Sequence, residues 1–83
     1  MGTIVEITND EGRWVVQIAG PSDMQTRIAL DLNELVRARH RPSSGPVYTV
    51  AGHREADLRR FCARLRAQGV GIYWDDTPGW VRR

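Results

Sequence analysis

The sequence contains no lysine, a single cysteine and no long hydrophobic run. One cysteine, Cys62, excludes an internal disulfide. No apolar stretch approaches the roughly 20 residues of a membrane-spanning helix, and the opening residues lack the basic and apolar regions of a secretory signal. We therefore expect a cytoplasmic protein that does not contact a membrane.

The signatures of common enzymes are also missing. The sequence has no G-x-S-x-G elbow, no HExxH pair, no CxxC pair and no glycine-rich loop of the nucleotide-binding type. Cys62 falls on the apolar side of a predicted helix, where a thiol is typically inert packing. A non-catalytic protein without metal or cofactor is the simplest interpretation.

A chain of 83 residues is long enough for one domain only, so residues 1–83 are expected to form a single unit. Hydrophobic residues make up 41% and charged residues 27%, which is typical of folded globular proteins. Because a domain of this size buries a modest share of its surface, a homodimer is one expected way to gain stability.

The net charge of +2 conceals an uneven distribution. Residues 1–36 carry six acidic side chains and two arginines, whereas residues 37–66 carry eight arginines and two acids. The two segments therefore have net charges of −4 and +6. The basic segment is the expected place for contact with a charged partner.

Two β-branched and aromatic segments near the start, TIVEIT (3–8) and RWVVQIA (13–19), predict a β-hairpin. Gly12, in the stretch between them, supplies the positive φ that a short loop requires. In each strand alternate residues share one face, among them Val5 and Ile7 in the first.

Residues 22–41 allow two interpretations. The segment TRIALDL (26–32) places Ile28, Leu30 and Leu32 on one face of a third strand, followed by a short helix over residues 33–39, and we favour this arrangement. Alternatively, residues 23–40 form one helix that aligns Ile28 with Leu32 but leaves Leu30 on its polar face.

The C-terminal half has the clearest pattern. VYTVA (47–51) predicts a strand, and an apolar stripe at i, i+3, i+4 and i+7 then predicts an amphipathic helix. The stripe consists of Leu58, Phe61, Cys62 and Leu65. Gly69 is suited to end this helix, and VGIYW (70–74) predicts the last strand.

Together these segments predict a single small α+β domain of order βββαβαβ. A three-stranded antiparallel meander is followed by a parallel βαβ unit, and the helices cover one face of the sheet. If residues 23–40 form one helix instead, the order becomes ββαβαβ.

The turn Gly52-His53-Arg54 joins a predicted strand to the second predicted helix. Free backbone N–H groups at such a turn, together with Arg54, can bind an anion. Glu55 and Asp57 in the first helical turn already complement the helix dipole, and they would repel an anion. A plain helix start is therefore favoured, and an anion site at Gly52, His53 and Arg54 is a weaker prediction.

The carboxyl ends of parallel strands are a common place for ligands in α/β proteins. If the last two strands are neighbours, His53 comes near Asp75 and Asp76. A histidine beside two carboxylates is a weak candidate for the site of a small enzyme or ligand-binding protein.

Arginines dominate the outer side of the second predicted helix, with alanines between them. If the two helices lie side by side, further arginines extend this surface, and the C-terminal tail adds to it. The predicted contact residues are Arg37, Arg39, Arg41, Arg59, Arg60, Arg64, Arg66, Trp80, Arg82 and Arg83.

The leading hypothesis is a small non-catalytic protein-binding module that acts through this arginine-rich face, as an accessory or inhibitory protein of bacterial or phage origin. The alternative is a nucleic-acid-binding protein that contacts phosphates through the same arginines without reading sequence. Nucleic acid ranks second because the net charge is small and no RNP, KH or zinc-finger signature is present.

Overall fold

Five strands form one mixed sheet and two helices pack with it, in a computed structural model that describes residues 2–40 and 45–75. The elements in chain order are β1 (Ile4–Asp10), β2 (Arg13–Ala19), α1 (Ser22–Val36), β3 (Arg39–His40), β4 (Val47–Val50), a 3₁₀ turn (Gly52–Arg54), α2 (Glu55–Ala67) and β5 (Gly71–Asp75). The predicted α+β class is confirmed. Within the described residues, neither helix combines the length and apolar character needed to cross a bilayer.

The predicted hairpin is present as β1 and β2, which pair antiparallel from Ile4 opposite Ala19 to Asp10 opposite Arg13. Its two-residue loop has positive φ at both positions, +52° at residue 11 and +83° at Gly12. Two left-handed residues make the turn whose twist matches that of the flanking strands. Glycine at the second position is therefore a local requirement of the hairpin.

The favoured third strand over residues 26–32 is wrong, because this segment lies within α1. Ile28, Leu32 and Val36 recur every four residues, and all three are buried on one helical face. Leu30, which a strand would have placed in the core beside Ile28, is 62% exposed. The alternative prediction of one helix is correct, although the helix ends at Val36 rather than at residue 40.

The start of α1 has no side-chain cap. The N-cap residue is Pro21. The Gln25 side chain instead donates through Nε2 to the carbonyl of Gly20 at 2.8 Å, and the Gln25 backbone N–H donates to Pro21 at 3.0 Å. Gln25 thus ties the first turn back to the loop that precedes it.

The strand order in the sheet is β3-β4-β2-β1-β5. β4 pairs antiparallel with β2, and β5 pairs parallel with β1. The two strands that flank α2 therefore point the same way but are separated by the whole β1–β2 hairpin, so the predicted βαβ unit of neighbouring strands is wrong. Three strand spacings separate them by about 14 Å, a distance that a 13-residue helix, about 20 Å long, can cross.

The remaining strand, β3, is a two-residue segment that pairs antiparallel with β4 at the sheet edge. Nothing in the residue pattern around it predicted a strand. Arg39 lies opposite Thr49, and His40 lies opposite Tyr48, whose ring centroid is 5.0 Å from that of the imidazole. Arg39 therefore lies on an edge strand of the sheet and not at the end of a helix, where the sequence had placed it.

One face of the sheet is buried, and its side chains share a core with the apolar stripes of both helices. The buried apolar residues are Val5, Ile7, Trp14, Val16, Ile18, Ile28, Leu32, Val36, Ala38, Val50, Leu58, Phe61, Cys62, Leu65 and Val70. The predicted stripe of α2 is thus confirmed. On the other face of the sheet, Ile4 and Tyr73 are large apolar residues that remain 53% and 69% exposed.

The two leucines of α1 provide a test of its orientation. We expect Leu32→Ala to lower the free energy of unfolding by about 2–5 kcal/mol, because it leaves a cavity in the core. The matched change Leu30→Ala should alter it by less than about 0.5 kcal/mol, since that side chain is largely in solvent. Urea unfolding measures both, and equal losses would contradict the observed helix.

Candidate functional site

The arginines of α2 are exposed, and two of them are paired within the helix. Arg59 Nε donates to Glu55 Oε2 at 3.2 Å, and Arg60 donates to Asp57. Pairs this exposed contribute about 0–1 kcal/mol each to stability, so their main effect is on local charge. The two acids neutralise part of the positive potential that the residue counts suggested.

Two arginines near the end of α2 differ from these. Arg64 and Arg66 are exposed, and neither forms an ion pair with the described residues of the chain. Both lie in the last turns of the helix, where a cation complements the negative end of the dipole. They carry the uncompensated positive charge of the predicted arginine face.

A shallow groove of about 290 Å³ runs between the two helices. Its lining residues are Leu35, Asp57, Arg60, Phe61 and Arg64. Leu35 is 45% exposed and comes from α1, whereas the arginines come from α2. The groove therefore combines a half-exposed apolar side chain with two guanidinium groups one helical turn apart.

A second cleft, of about 460 Å³, lies where the end of α1 meets the turn before α2. It is lined by Asn33, Arg37, Ala38, Arg39, Ala51, His53 and Arg54. The sequence placed Arg37 and Arg39 with the arginines of α2, whereas the structure places them beside His53 and Arg54. Arg41, predicted with them, lies outside the described residues, as do Trp80, Arg82 and Arg83.

The α1 side of this cleft is held by one backbone hydrogen bond and one side-chain hydrogen bond. Arg37 adopts a left-handed conformation (φ 57°, ψ 37°) that ends the helix. The backbone N–H of Ala38 donates to Leu32 at 3.2 Å, and Asn33 Nδ2 donates to the carbonyl of Ala38 at 3.2 Å. Because Ala38 is buried, the arginines on either side of it point outward.

The other side of the cleft depends on a close backbone approach. A Cβ built on Gly52 would overlap the carbonyl oxygen of Gly12 in the hairpin turn. Gly52 is therefore required by packing between the 3₁₀ turn and the β1–β2 loop. The Arg54 N–H donates to Ala51 at 3.0 Å and closes the 3₁₀ turn. The turn Gly52-His53-Arg54 leads directly into α2, and the close approach to Gly12 gives a tertiary reason for its glycine.

The predicted site at His53, Asp75 and Asp76 assumed that the last two strands are neighbours, whereas β2 and β1 lie between β4 and β5. His53 lines the cleft beside α1, whereas Asp75 ends β5 on the far side of the hairpin. Asp76 lies outside the described residues. Within residues 2–40 and 45–75, no group of three His, Cys, Asp or Glu side chains is placed to hold a metal ion.

Cys62 lies in the core between the sheet and α2. Burial raises the pKa of its thiol from 9.0 to about 11, although the positive charges of Arg66 and Arg59 partly oppose the shift. A thiol that resists ionisation is a poor nucleophile. This environment supports the interpretation of Cys62 as packing.

Sequence reasoning missed two features of this surface. Arg59 lies over the Trp74 ring, with its guanidinium carbon 4.3 Å from the ring centroid. The basic cleft was also missed as a unit, since its two walls are separated in the sequence. The sequence Arg37-Ala38-Arg39 could have indicated the first wall of the cleft. A small apolar residue between two arginines suggests that it points into the core while both arginines point outward.

The close approach of Gly52 to Gly12 can be tested by alanine substitution. Gly52→Ala should lower the free energy of unfolding by about 1–3 kcal/mol or more, because the added Cβ forces the backbone to shift. Gly71→Ala is the matched control, since its Cβ would lie 3.6 Å from Ile4 in ordinary contact. Equal stability of the two variants in chemical unfolding would contradict the packing described here.

The raised pKa of Cys62 predicts the pH dependence of alkylation by iodoacetamide. In the folded protein the thiolate forms only as the pH rises toward 11, whereas in the unfolded chain it forms around 9.0. At pH 8 a shift of this size lowers the thiolate fraction about 100-fold. Labelling with and without denaturant measures the difference, and equal rates at pH 8 would show that the thiol is accessible and ionised.

Comparison of the chain with protein-family models, with curated proteins and with solved structures finds no match. Any function assigned to the chain therefore rests on its own residues. The groove between the helices and the basic cleft beside it each bring two or more arginines of the described residues to one concave surface, so we consider these two.

Proposed function

We propose that this chain is a small non-catalytic protein-binding module whose contact surface is the groove between α1 and α2. Its partner is a protein segment that carries acidic side chains around an apolar one. The observation that carries the proposal is the half-exposed Leu35 beside Arg60 and Arg64 in one groove. An accessory or inhibitory role in a bacterium or phage suits a module of this size.

The apolar part of the groove supplies the first contribution. Leu35 is 45% exposed, so a partner that covers it removes apolar surface from water. Fully burying a leucine contributes about 1.5–3 kcal/mol, and about half of that remains available here. Apolar contact of this kind distinguishes a protein partner from a phosphate backbone, which offers none.

The arginines orient the bound partner and increase the rate at which it associates. Arg60 and Arg64 are one helical turn apart, so both guanidinium groups can reach the same acidic segment. Arg60 shares its charge with Asp57, whereas Arg64 has no ion pair among the described residues. Carboxylates of a partner form charge-assisted hydrogen bonds with such groups and are attracted over longer distances.

Nucleic acid remains the second candidate, favoured by the uncompensated charge of Arg64 and Arg66. It ranks lower because a phosphate backbone offers no apolar group to cover the half-exposed Leu35 that lines the same groove. Binding of this kind would be non-specific and strongly dependent on salt.

The proposal also includes the placement of both helices on one face of the sheet and a homodimer that forms through the other face. Both helices cover the inward face of the sheet, which leaves the outward face open. Ile4 and Tyr73 give that outward face a small apolar surface on which a second copy of the chain can pack. Sedimentation of the purified chain at several concentrations decides whether a homodimer forms.

The experiment compares capture of proteins from a native bacterial lysate by the tagged chain and by three variants. Arg60→Glu with Arg64→Glu should reduce capture of the partner about tenfold or more, because two attractive contacts become repulsive. Leu35→Ser should also weaken it, since it removes the apolar contact. Arg13→Glu with Arg27→Glu is the control, because it makes the same charge change outside the groove.

A labelled oligonucleotide, titrated at low salt, separates the two candidates. Binding that is lost in the Arg60 and Arg64 double variant but unaffected by Leu35→Ser would favour nucleic acid over protein. If the control double variant loses the captured protein as strongly as the groove variant, the groove is not the contact surface. Unfolding curves of all variants exclude loss of folding as the cause.

A further inference from the structure

We infer that the cleft between the end of α1 and the turn before α2 is an anion site that binds the phosphate group of a small ligand, either free phosphate or a phosphate monoester. The juxtaposition that carries this inference is that of Arg37 and Arg39 on one wall with His53 and Arg54 on the other. The site is separate from the groove of the proposed function, with which it shares no lining residue.

The charge of the lining is one-sided. Four of the seven lining residues are basic and none is acidic, so three guanidinium groups and an imidazole border one concave space. Guanidinium groups present paired N–H donors that match the oxygens of a phosphate. Positive charges that line one space repel one another, and a dianion between them would relieve the repulsion.

The neighbouring carboxylates do not oppose an anion as the sequence suggested. Glu55 is hydrogen-bonded to Arg59 at 3.2 Å, and Asp57 is paired with Arg60. Neither acid lines the cleft. Arg54 has only a long contact with Asp57, 3.6 Å between Nη1 and Oδ2, so its guanidinium keeps donors for a ligand.

The backbone of the first wall also suggests a role beyond folding. Arg37 occupies the left-handed position at the end of α1, where glycine is usual because it carries no Cβ penalty. The chain nevertheless has an arginine there, and the hydrogen bonds of Asn33 and Ala38 hold the following segment in place. An arginine at a position suited to glycine is explained if its guanidinium has a ligand.

The shape of the site favours a compact, multiply charged group. The basic residues surround one cleft of about 460 Å³, a size within the range of small-molecule pockets. A nucleic-acid backbone carries one charge per phosphate and is normally tracked by cations spread along a groove. Convergence on a single space fits a phosphate monoester, which carries up to two charges on one group.

The test is a titration of the ¹⁵N-labelled full chain, followed by amide and arginine side-chain NMR signals. Inorganic phosphate and AMP are the probes, with sodium chloride at matched ionic strength as the control. We expect saturable shifts in residues 37–39 and 51–54. Tighter binding of AMP than of phosphate would identify a monoester of a larger molecule as the ligand class, and equal binding would identify phosphate itself.

Two variants and one control connect the shifts to the cleft. Arg37→Gly and Arg39→Gln should each weaken phosphate binding about tenfold or more, because each removes a charged donor. Arg27→Gln, on the same helix but outside the cleft, should change it less than about twofold. Arg37→Gly should also unfold at an equal or higher temperature, since glycine suits that backbone conformation, so its loss of binding cannot arise from loss of folding.

Three results would overturn the inference. The first is no saturable shift at tens of millimolar phosphate. The second is an equal loss of binding in Arg27→Gln, which would show non-specific attraction. The third is an oligonucleotide that shifts the same signals at lower concentration than AMP, which would assign the cleft to a nucleic-acid backbone.

Discussion

One apolar core, shared by the sheet and both helices, is the constraint on which the rest of this structure depends. A domain of 83 residues has enough apolar side chains for one core, and here that core lies between the inward face of the sheet and the stripes of α1 and α2. Charged side chains are therefore confined to the outer helical surfaces, the loops and the outward sheet face. Both candidate binding surfaces occupy such positions, at the joins between elements rather than on any element alone.

Two backbone features decide where the basic residues meet. The contact between Gly52 and the Gly12 carbonyl places the start of α2 over the hairpin turn, and the left-handed Arg37 turns the chain sharply at the end of α1. Asp57 then links the two surfaces, because its carboxylate pairs with Arg60 in the groove and with Arg54 beside the cleft.

The hairpin, the stripe of α2 and the burial of Cys62 within that stripe were predictable because each depends on neighbours within a few positions. The segment over residues 26–32 was misassigned for a physical reason. Residues four apart share a face both in a helix and in a strand, so Ile28 and Leu32 fit either structure. Leu30 is the residue that separates the two, and its 62% exposure depends on packing that the local pattern does not specify.

The sequence by itself determined the α+β class, the hairpin with Gly12 in its turn, the amphipathic character of α2 and the excess of arginine after residue 36. These follow from local periodicity and backbone preference. Tertiary structure alone decided that the hairpin separates β4 from β5 and that Arg37 and Arg39 meet His53 and Arg54. Strand order and the meeting of distant segments depend on long-range hydrogen bonding and burial, for which a linear pattern carries little information.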